Sequence, residues 1–205
     1  TYQVLAVLMM QGTNPWGLQR TINDEIRGGE INRYLMRPMS YRLYRFMRYF
    51  TSNVFYCVVA ILPLALVIAI LGQTFVWTKI DNVALAAVAF VIGMAIQFLS
   101  VYAVAMAAFW LDEIAGLFVS YMMLLRFVSG EMFPLDLLPA GILDVLRHTP
   151  FPNIIWFPLQ VYLGRMSDAG MAAGFLNGLL WVGLLWILST ILWRRGIRQY
   201  GGFGG

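Results

Sequence analysis

The stretch NVALAAVAFVIGMAIQFLSVYAVAMAAFWL, residues 82–111, contains no Asp, Glu, Lys or Arg. Residues 49–78 and 169–193 form two further uncharged runs. A helix needs about 20 apolar residues to cross a hydrocarbon core about 30 Å thick, so each run is long enough to span a bilayer. Lipid offers no partner for backbone N–H and C=O groups, and none of the runs alternates as a barrel strand would. The sequence therefore predicts an all-α membrane protein.

The composition points to the same class. Hydrophobic residues make up 60% of the chain and charged residues 12%, whereas soluble domains carry roughly 25% charged residues. Cys57 is the one cysteine and His148 the one histidine, so the sequence offers no intrachain disulfide and no His/Cys metal site. We predict no cofactor. The net charge of +4 is assigned to membrane topology, with no nucleic-acid partner.

The distribution of arginine predicts which side of the membrane each segment faces. Seven of the 14 basic residues lie within 20–48, and three more follow the last uncharged run. Basic residues concentrate on the cytoplasmic side, so we expect 13–50 and the C-terminus to be cytoplasmic. The predicted spans cover residues 51–73, 83–109, 114–130 and 171–193. A cytoplasmic corner falls at Asp112 and Glu113, and residues 1–12 are interpreted as the tail of a span whose start is missing.

The segment 131–168 is apolar but cannot form one helix. Five prolines interrupt it, at Pro134, Pro139, Pro150, Pro152 and Pro158. Proline removes a backbone donor and clashes with the preceding turn. We predict short external helices that re-enter the outer leaflet before the last span.

The cytoplasmic segment 13–50 divides into two predicted parts. The first is a jointed polar helix at 21–38: Thr21 is expected to cap it, Gly28 and Gly29 to interrupt it, and Pro38 to end it. Glu30 and Arg33 have the spacing of an ion pair. The second part, at 41–50, is predicted to be an interfacial amphipathic helix that leads into the next span. Its arginines, interpreted as a cytoplasmic anchor, are Arg42, Arg45 and Arg48.

Several motifs recur in the order found in one transporter family. They are IRGGEINRYLMRPMS from residue 26, FWLDEIAGL from residue 109, SGEMFPLDLLP from residue 129, PFPN from residue 150, VYLG from residue 161 and RRGIRQYGGFGG from residue 194. This ordered set resembles the permeases of type-2 ABC transporters, and within them the viologen-exporter-like branch.

The resemblance implies a single permease domain over 1–205 with a six-span exporter fold, whose first span is absent from this chain. It also implies a coupling helix that docks on the ATP-binding subunit. The residues assigned to coupling are Thr21, Asp24, Glu25, Arg27, Gly28, Glu30, Arg33 and Arg37.

The resemblance also implies partners. The expected partners are two copies of the ATPase subunit, a second permease subunit, identical or paralogous, and the lipid bilayer. The expected location is the bacterial inner membrane, and the expected activity is export of a lipid-like, drug-like or other amphipathic substrate.

The chain offers no Gly-Lys-Ser/Thr loop with which to bind ATP. Its single lysine, Lys79, lies between Thr78 and Ile80, and a phosphate-binding loop needs lysine followed by Ser or Thr. The sequence therefore predicts that ATP hydrolysis belongs to a separate chain.

Four side chains in or beside the predicted spans are candidates for a translocation path or a structural clamp. An arginine within a span is costly and suggests function, and Arg126 has Glu131 five residues later. The alternative is an ion pair of Arg126 with Glu131 or Asp136 that only holds the external helices. Gln97 and Ser100 can line a path or form ordinary interhelical hydrogen bonds.

Two other classes of function remain open from the sequence. One is a membrane-embedded, lipid-modifying enzyme with Asp112 and Glu113 as its site. Adjacent helical residues diverge by about 100°, so these two carboxylates make a poor acid–base pair. The other is a passive channel or scaffold. Neither alternative explains the jointed cytoplasmic helix.

Overall fold

The computed structural model describes residues 2–36, 39–71, 79–111 and 113–200. Within those ranges all regular secondary structure is helical, which confirms the all-α prediction there. The helices are α1 (Tyr2–Gly12), α2 (Trp16–Arg27), α3 (Ile31–Leu35), α4 (Tyr41–Leu71), α5 (Ile80–Ala105), α6 (Ala115–Val128), α7 (Ala140–Arg147), α8 (Trp156–Tyr162) and α9 (Asp168–Tyr200). Short 3-10 turns cover Met106–Phe109, Leu135–Leu137 and Phe151–Asn153.

Some predicted features lie outside the described residues. Arg37 and Pro38, at the end of the predicted coupling segment, are among them. Asp112 of the predicted corner and the glycine-rich tail at 201–205 are as well.

Two helices in the described part of the chain are long and apolar enough to cross a membrane. They are α5 with its following turn, Ile80–Phe109, and α9. The apolar helix α6 has only 14 residues. α4 runs without a break for 31 residues, so the helix predicted at 41–50 continues directly into the span predicted from residue 51. No glycine or proline separates the two parts, and the one proline inside α4, Pro63, lies well beyond them.

Side-chain contacts sort the helix ends into two groups. At one end, which we call the α2 end, Arg27 at the end of α2 donates to the carbonyl of Leu111, between α5 and α6, over 2.8 Å. The ring of Phe109, just after α5, lies 6.0 Å from the ring of Tyr200 at the end of α9. Because α2, the start of α6 and the ends of α5 and α9 meet there, α5 and α9 run in the same direction and α6 runs opposite to them.

The turn after α6 marks the other end, which we call the Gly130 end. The hydroxyl of Tyr2, at the start of α1, donates to the carbonyl of Gly130 over 2.9 Å. The N–H of Trp156, at the start of α8, donates to the carbonyl of Ser129 over 3.0 Å. Gly130 has φ +82°, a left-handed conformation that side chains disfavour. This turn therefore ties α1 and α8 to α6.

The proline-rich segment packs into the side of the bundle against α5 and α9. A Cβ on Gly93 of α5 would lie 2.6 Å from the backbone oxygen of Asn153, and a Cβ on Gly174 of α9 would lie 2.1 Å from the ring of Phe157. Both glycines are thus required for close packing within the chain. Re-entry of this segment into the outer leaflet stays a prediction.

Candidate coupling and substrate-path sites

The predicted coupling segment begins earlier than the sequence suggested. α2 starts at Trp16, directly after Pro15, and the Thr21 hydroxyl donates to the Gly17 carbonyl over 2.7 Å within the helix. The prediction that Thr21 caps the helix is therefore wrong. Proline is tolerated at the start of a helix because its missing N–H would have no partner there, and Pro15 supplies the earlier start.

The predicted joint in this segment is present. α2 ends at Arg27 and α3 begins at Ile31, and Gly29 between them has φ +74°. Arg33 Nη1 lies 3.9 Å from Glu30 Oε2, and both side chains are exposed. An exposed pair of this kind contributes little to stability, about 0–1 kcal/mol, so these charges remain available to a partner.

Glu25 holds the segment against the bundle. It is 7% exposed, and its carboxylate accepts hydrogen bonds from Tyr34 over 3.0 Å and from Tyr41 over 2.6 Å. The same carboxylate forms an ion pair with Arg45, which is 2% exposed. Among the residues assigned to coupling, Glu25 is thus an internal anchor that positions α2 and α3 on α4 rather than a surface contact.

The arginine stripe of α4 is not a uniform interfacial anchor. Arg45 points inward to Glu25. Arg42 lies over the ring of Trp186 on α9, with its Cζ 3.4 Å from the ring centroid, and donates to the Trp186 carbonyl over 3.0 Å. Of the three arginines in the stripe, Arg48 is the exposed one. The anchor prediction is therefore wrong for Arg45, because its guanidinium is buried against α2. Arg42 is half-buried against α9, and its role as an anchor stays a prediction.

The outer surface of the coupling segment carries both signs of charge. Asp24, Gly28, Glu30 and Arg33 are exposed, and Thr21 is half-buried. Arg27 is exposed too, but its Nη2 donates to the carbonyl of Leu111 over 2.8 Å. This surface, which we call the α2–α3 face, lies at the α2 end and can take complementary charges from another protein.

Arg126 and Glu131 form an ion pair at the opposite end. Arg126 Nε lies 2.8 Å from Glu131 Oε1, and the two side chains are 42% and 14% exposed. Burial raises the pKa of Glu131, and the charge and hydrogen bond of Arg126 act in the opposite direction. The pair closes the turn at Gly130. Its role as a clamp or as part of a path stays a prediction.

Gln97 and Ser100 have different surroundings. Gln97 is buried, its Oε1 has no hydrogen-bond partner, and it lines a cavity of about 60 Å³ together with Arg126 and Glu131. Ser100 donates to the Ile96 carbonyl of its own helix over 2.8 Å. The structure thus brings Gln97 close to the ion pair and leaves Ser100 apart from it.

Sequence reasoning missed part of both sites. It treated Tyr41 and Arg45 as interfacial and did not connect them with Glu25, and it did not single out the buried Asn53. No local pattern joins residues 16 or more positions apart.

Across the ranges that the structure describes, no group of three or more His, Cys, Asp or Glu side chains could hold a metal ion.

Comparison with family models identifies the class of protein. Residues 2–204 match the model described as ABC-2 family transporter protein. This chain therefore belongs to the ABC-2 transporter family. Searches of curated proteins and of solved structures found no match.

Family membership fixes the general role. The chain is the membrane permease component of an ABC transporter. The family also implies an ABC ATPase subunit as partner and a membrane location.

Proposed function

We propose that this chain is the permease subunit of an ATP-driven exporter that moves an amphipathic substrate out of the cytoplasm or the inner leaflet. The proposal includes the six-span fold of the viologen-exporter-like branch, two ATPase copies, a second permease subunit and the bacterial inner membrane. It rests on the family match together with the ordered motifs in the sequence.

The α2–α3 face is the surface that we propose docks on the ATPase subunit. Its exposed charges sit on a short helix pair whose inner side is fixed by Glu25, Tyr41 and Arg45. A segment fixed in this way moves with the start of α4, so closure of an ATPase cleft around it would be transmitted to the membrane helices. This geometry is the observation that favours a coupling role.

Charge reversal on the α2–α3 face tests docking. We expect Glu30→Lys combined with Arg33→Glu to lower the retention of the ATPase subunit by roughly tenfold, which corresponds to about 1.4 kcal/mol. Both side chains are exposed, so the permease itself should fold normally. The measurement is co-purification of the two subunits and the ATPase activity of the complex.

Asp144→Lys is the matched control. Asp144 is an exposed carboxylate on α7, and its Oδ1 lies 3.7 Å from Nη1 of Arg147. We expect α7 to belong to a segment outside the cell. Asp144→Lys should leave ATPase retention unchanged. If the double reversal also leaves retention and ATPase stimulation at wild-type values, the α2–α3 face is not the docking element.

The direction of the chain in the membrane is testable separately. We propose that the α2 end is cytoplasmic, since the arginines concentrate there. In a Cys57→Ser background, an impermeant thiol reagent added outside should label a cysteine at Asp144 and should not label one at Arg198. Labelling at Arg198 without labelling at Asp144 would reverse the proposed orientation.

A further inference from the structure

A polar cavity of about 450 Å³ lies between the end of α1, the start of α2 and the first half of α4. Its wall includes Arg45, Arg48, Ser52, Asn53 and Tyr56 of α4. None of the functions proposed above uses this cavity. It lies on the side of α4 that faces α1 and α2.

The cavity wall contains buried hydrogen-bond donors without a partner. Asn53 is 3% exposed, and its Nδ2 makes no hydrogen bond. Arg45 Nε is also buried and unpartnered, although the same guanidinium forms an ion pair with Glu25. A buried donor without a partner is destabilising, so a ligand that supplies acceptor oxygens here would be favoured.

The charge of the cavity favours an anion. Among the described residues that line it there is no Asp or Glu. Arg45 is balanced by Glu25, which leaves the charge of Arg48 without a carboxylate in the wall. An oxyanion with several acceptor oxygens, such as a phosphate, matches this set of donors.

The surroundings of the cavity favour an amphipathic molecule over a free ion. Trp16 and Tyr56 lie exposed at its rim, and aromatic side chains of this kind are enriched where membrane meets water. On the same helix Phe55, Val58 and Val59 are exposed to the surroundings. A headgroup in the cavity would therefore leave its acyl chains along an apolar surface of α4.

We infer that this cavity binds the phosphate headgroup of an anionic phospholipid, with Arg48 and Asn53 as its principal donors. The inference rests on the membrane location that the family implies, and it is independent of ATPase docking and of transport direction. The acyl chains lie along Phe55 and Val59, and the unpartnered Nδ2 of Asn53 donates to a phosphate oxygen.

The test is calorimetric titration of the detergent-solubilised permease–ATPase complex with three probes. Short-chain phosphatidylglycerol is expected to bind at least about tenfold more tightly than short-chain phosphatidylcholine, because its net charge is negative. Inorganic phosphate is expected to bind far more weakly than either lipid, because it lacks the chains. Equal affinity for inorganic phosphate and phosphatidylglycerol would overturn the lipid assignment.

Variants locate the binding to the cavity. Arg48→Gln should weaken phosphatidylglycerol binding roughly tenfold, which corresponds to about 1.4 kcal/mol, because it removes a charge-assisted hydrogen bond to the phosphate. Asn53→Leu, which keeps the volume and removes the donor, should weaken it as well. Arg195→Gln is the matched control, because Arg195 is an exposed arginine near the end of α9 and outside the cavity wall. It should leave the affinity unchanged.

Several outcomes would contradict the assignment. If Arg48→Gln binds phosphatidylglycerol as tightly as the wild type, the cavity does not hold the headgroup. If Arg195→Gln weakens binding as much as Arg48→Gln, the lipid only adsorbs to the basic surface. Arg48 is exposed, so its variant stays informative even where Asn53→Leu fails to fold. If a variant complex is intact and hydrolyses ATP but no longer binds phosphatidylglycerol, the loss of binding belongs to the cavity and not to the transporter function.

Discussion

Removing the charge of Arg126 should destabilise the turn that joins α6 to the proline-rich segment. In the structure this side chain is 42% exposed while Glu131 is 14% exposed, and the two are 2.8 Å apart. Arg126→Leu leaves the more buried carboxylate without its cation. Loss of one partner from a fully buried pair costs about 3–5 kcal/mol, and the partial exposure of Arg126 reduces this to about 1–2 kcal/mol. For a chain of this length, that corresponds to an apparent melting temperature lower by about 3–6 °C.

The pH dependence of the variant gives a second measure of the same effect. Burial already raises the pKa of Glu131, and loss of Arg126 should raise it further. A carboxyl group whose pKa is higher in the folded state than in the unfolded state lowers stability as pH rises through the folded pKa. The deficit of Arg126→Leu should therefore be largest at neutral pH and should shrink as acid protonates Glu131.

The assay is thermal unfolding of the purified complex at pH 7.5 and at a mildly acidic pH. Arg126→Leu combined with Glu131→Gln should recover most of the lost stability, because no unpaired charge then remains. Arg126→Lys should be intermediate, since it keeps a charge but loses the geometry of the guanidinium. Normal melting and normal assembly of Arg126→Leu, with transport lost, would refute the clamp and place Arg126 in the substrate path.

Glu25→Ala should lower stability by about 3–5 kcal/mol or abolish assembly, because it strands the buried charge of Arg45; wild-type melting of Glu25→Ala would contradict the anchor role. Gly174→Ala should cost about 1–3 kcal/mol, since its Cβ would meet the ring of Phe157. Gly183→Ala in the same helix meets nothing within 4 Å and should be neutral or stabilising by up to about 1 kcal/mol. Equal melting temperatures of the two alanine variants would show that the close contact of α9 with α8 is absent.

Much of the helix pattern followed from the sequence. The uncharged run at 82–111 predicted α5 and its continuation to Phe109, and the glycine pair at 28 and 29 predicted the joint between α2 and α3. These features were accessible because they depend on local rules: hydrophobic length in one case and backbone conformation in the other. The prediction that the helix starts at Thr21 was wrong. It was made from a local capping rule, and Pro15 gives an equally local signal for the earlier start.

The packed sites required the tertiary structure. The partners of Glu25 lie nine or more residues away in the chain, at Tyr34, Tyr41 and Arg45. Arg45 looked like an interfacial charge because a sequence pattern shows a helix face and not what covers it. No sequence pattern predicted a role for Asn53, because its burial depends on how α1, α2 and α4 pack together.

The sequence by itself determined that the chain is helical, very apolar and too poor in charge for a soluble domain. Its ordered motifs also pointed to the ABC transporter permeases, to which the family match assigns it. Only the tertiary structure decided which arginines face inward, which carboxylate anchors the α2–α3 face, and where unpaired donors surround a cavity. The reason is that hydrophobic length and backbone propensity act along the chain, whereas ion pairing and burial depend on helices brought together across it.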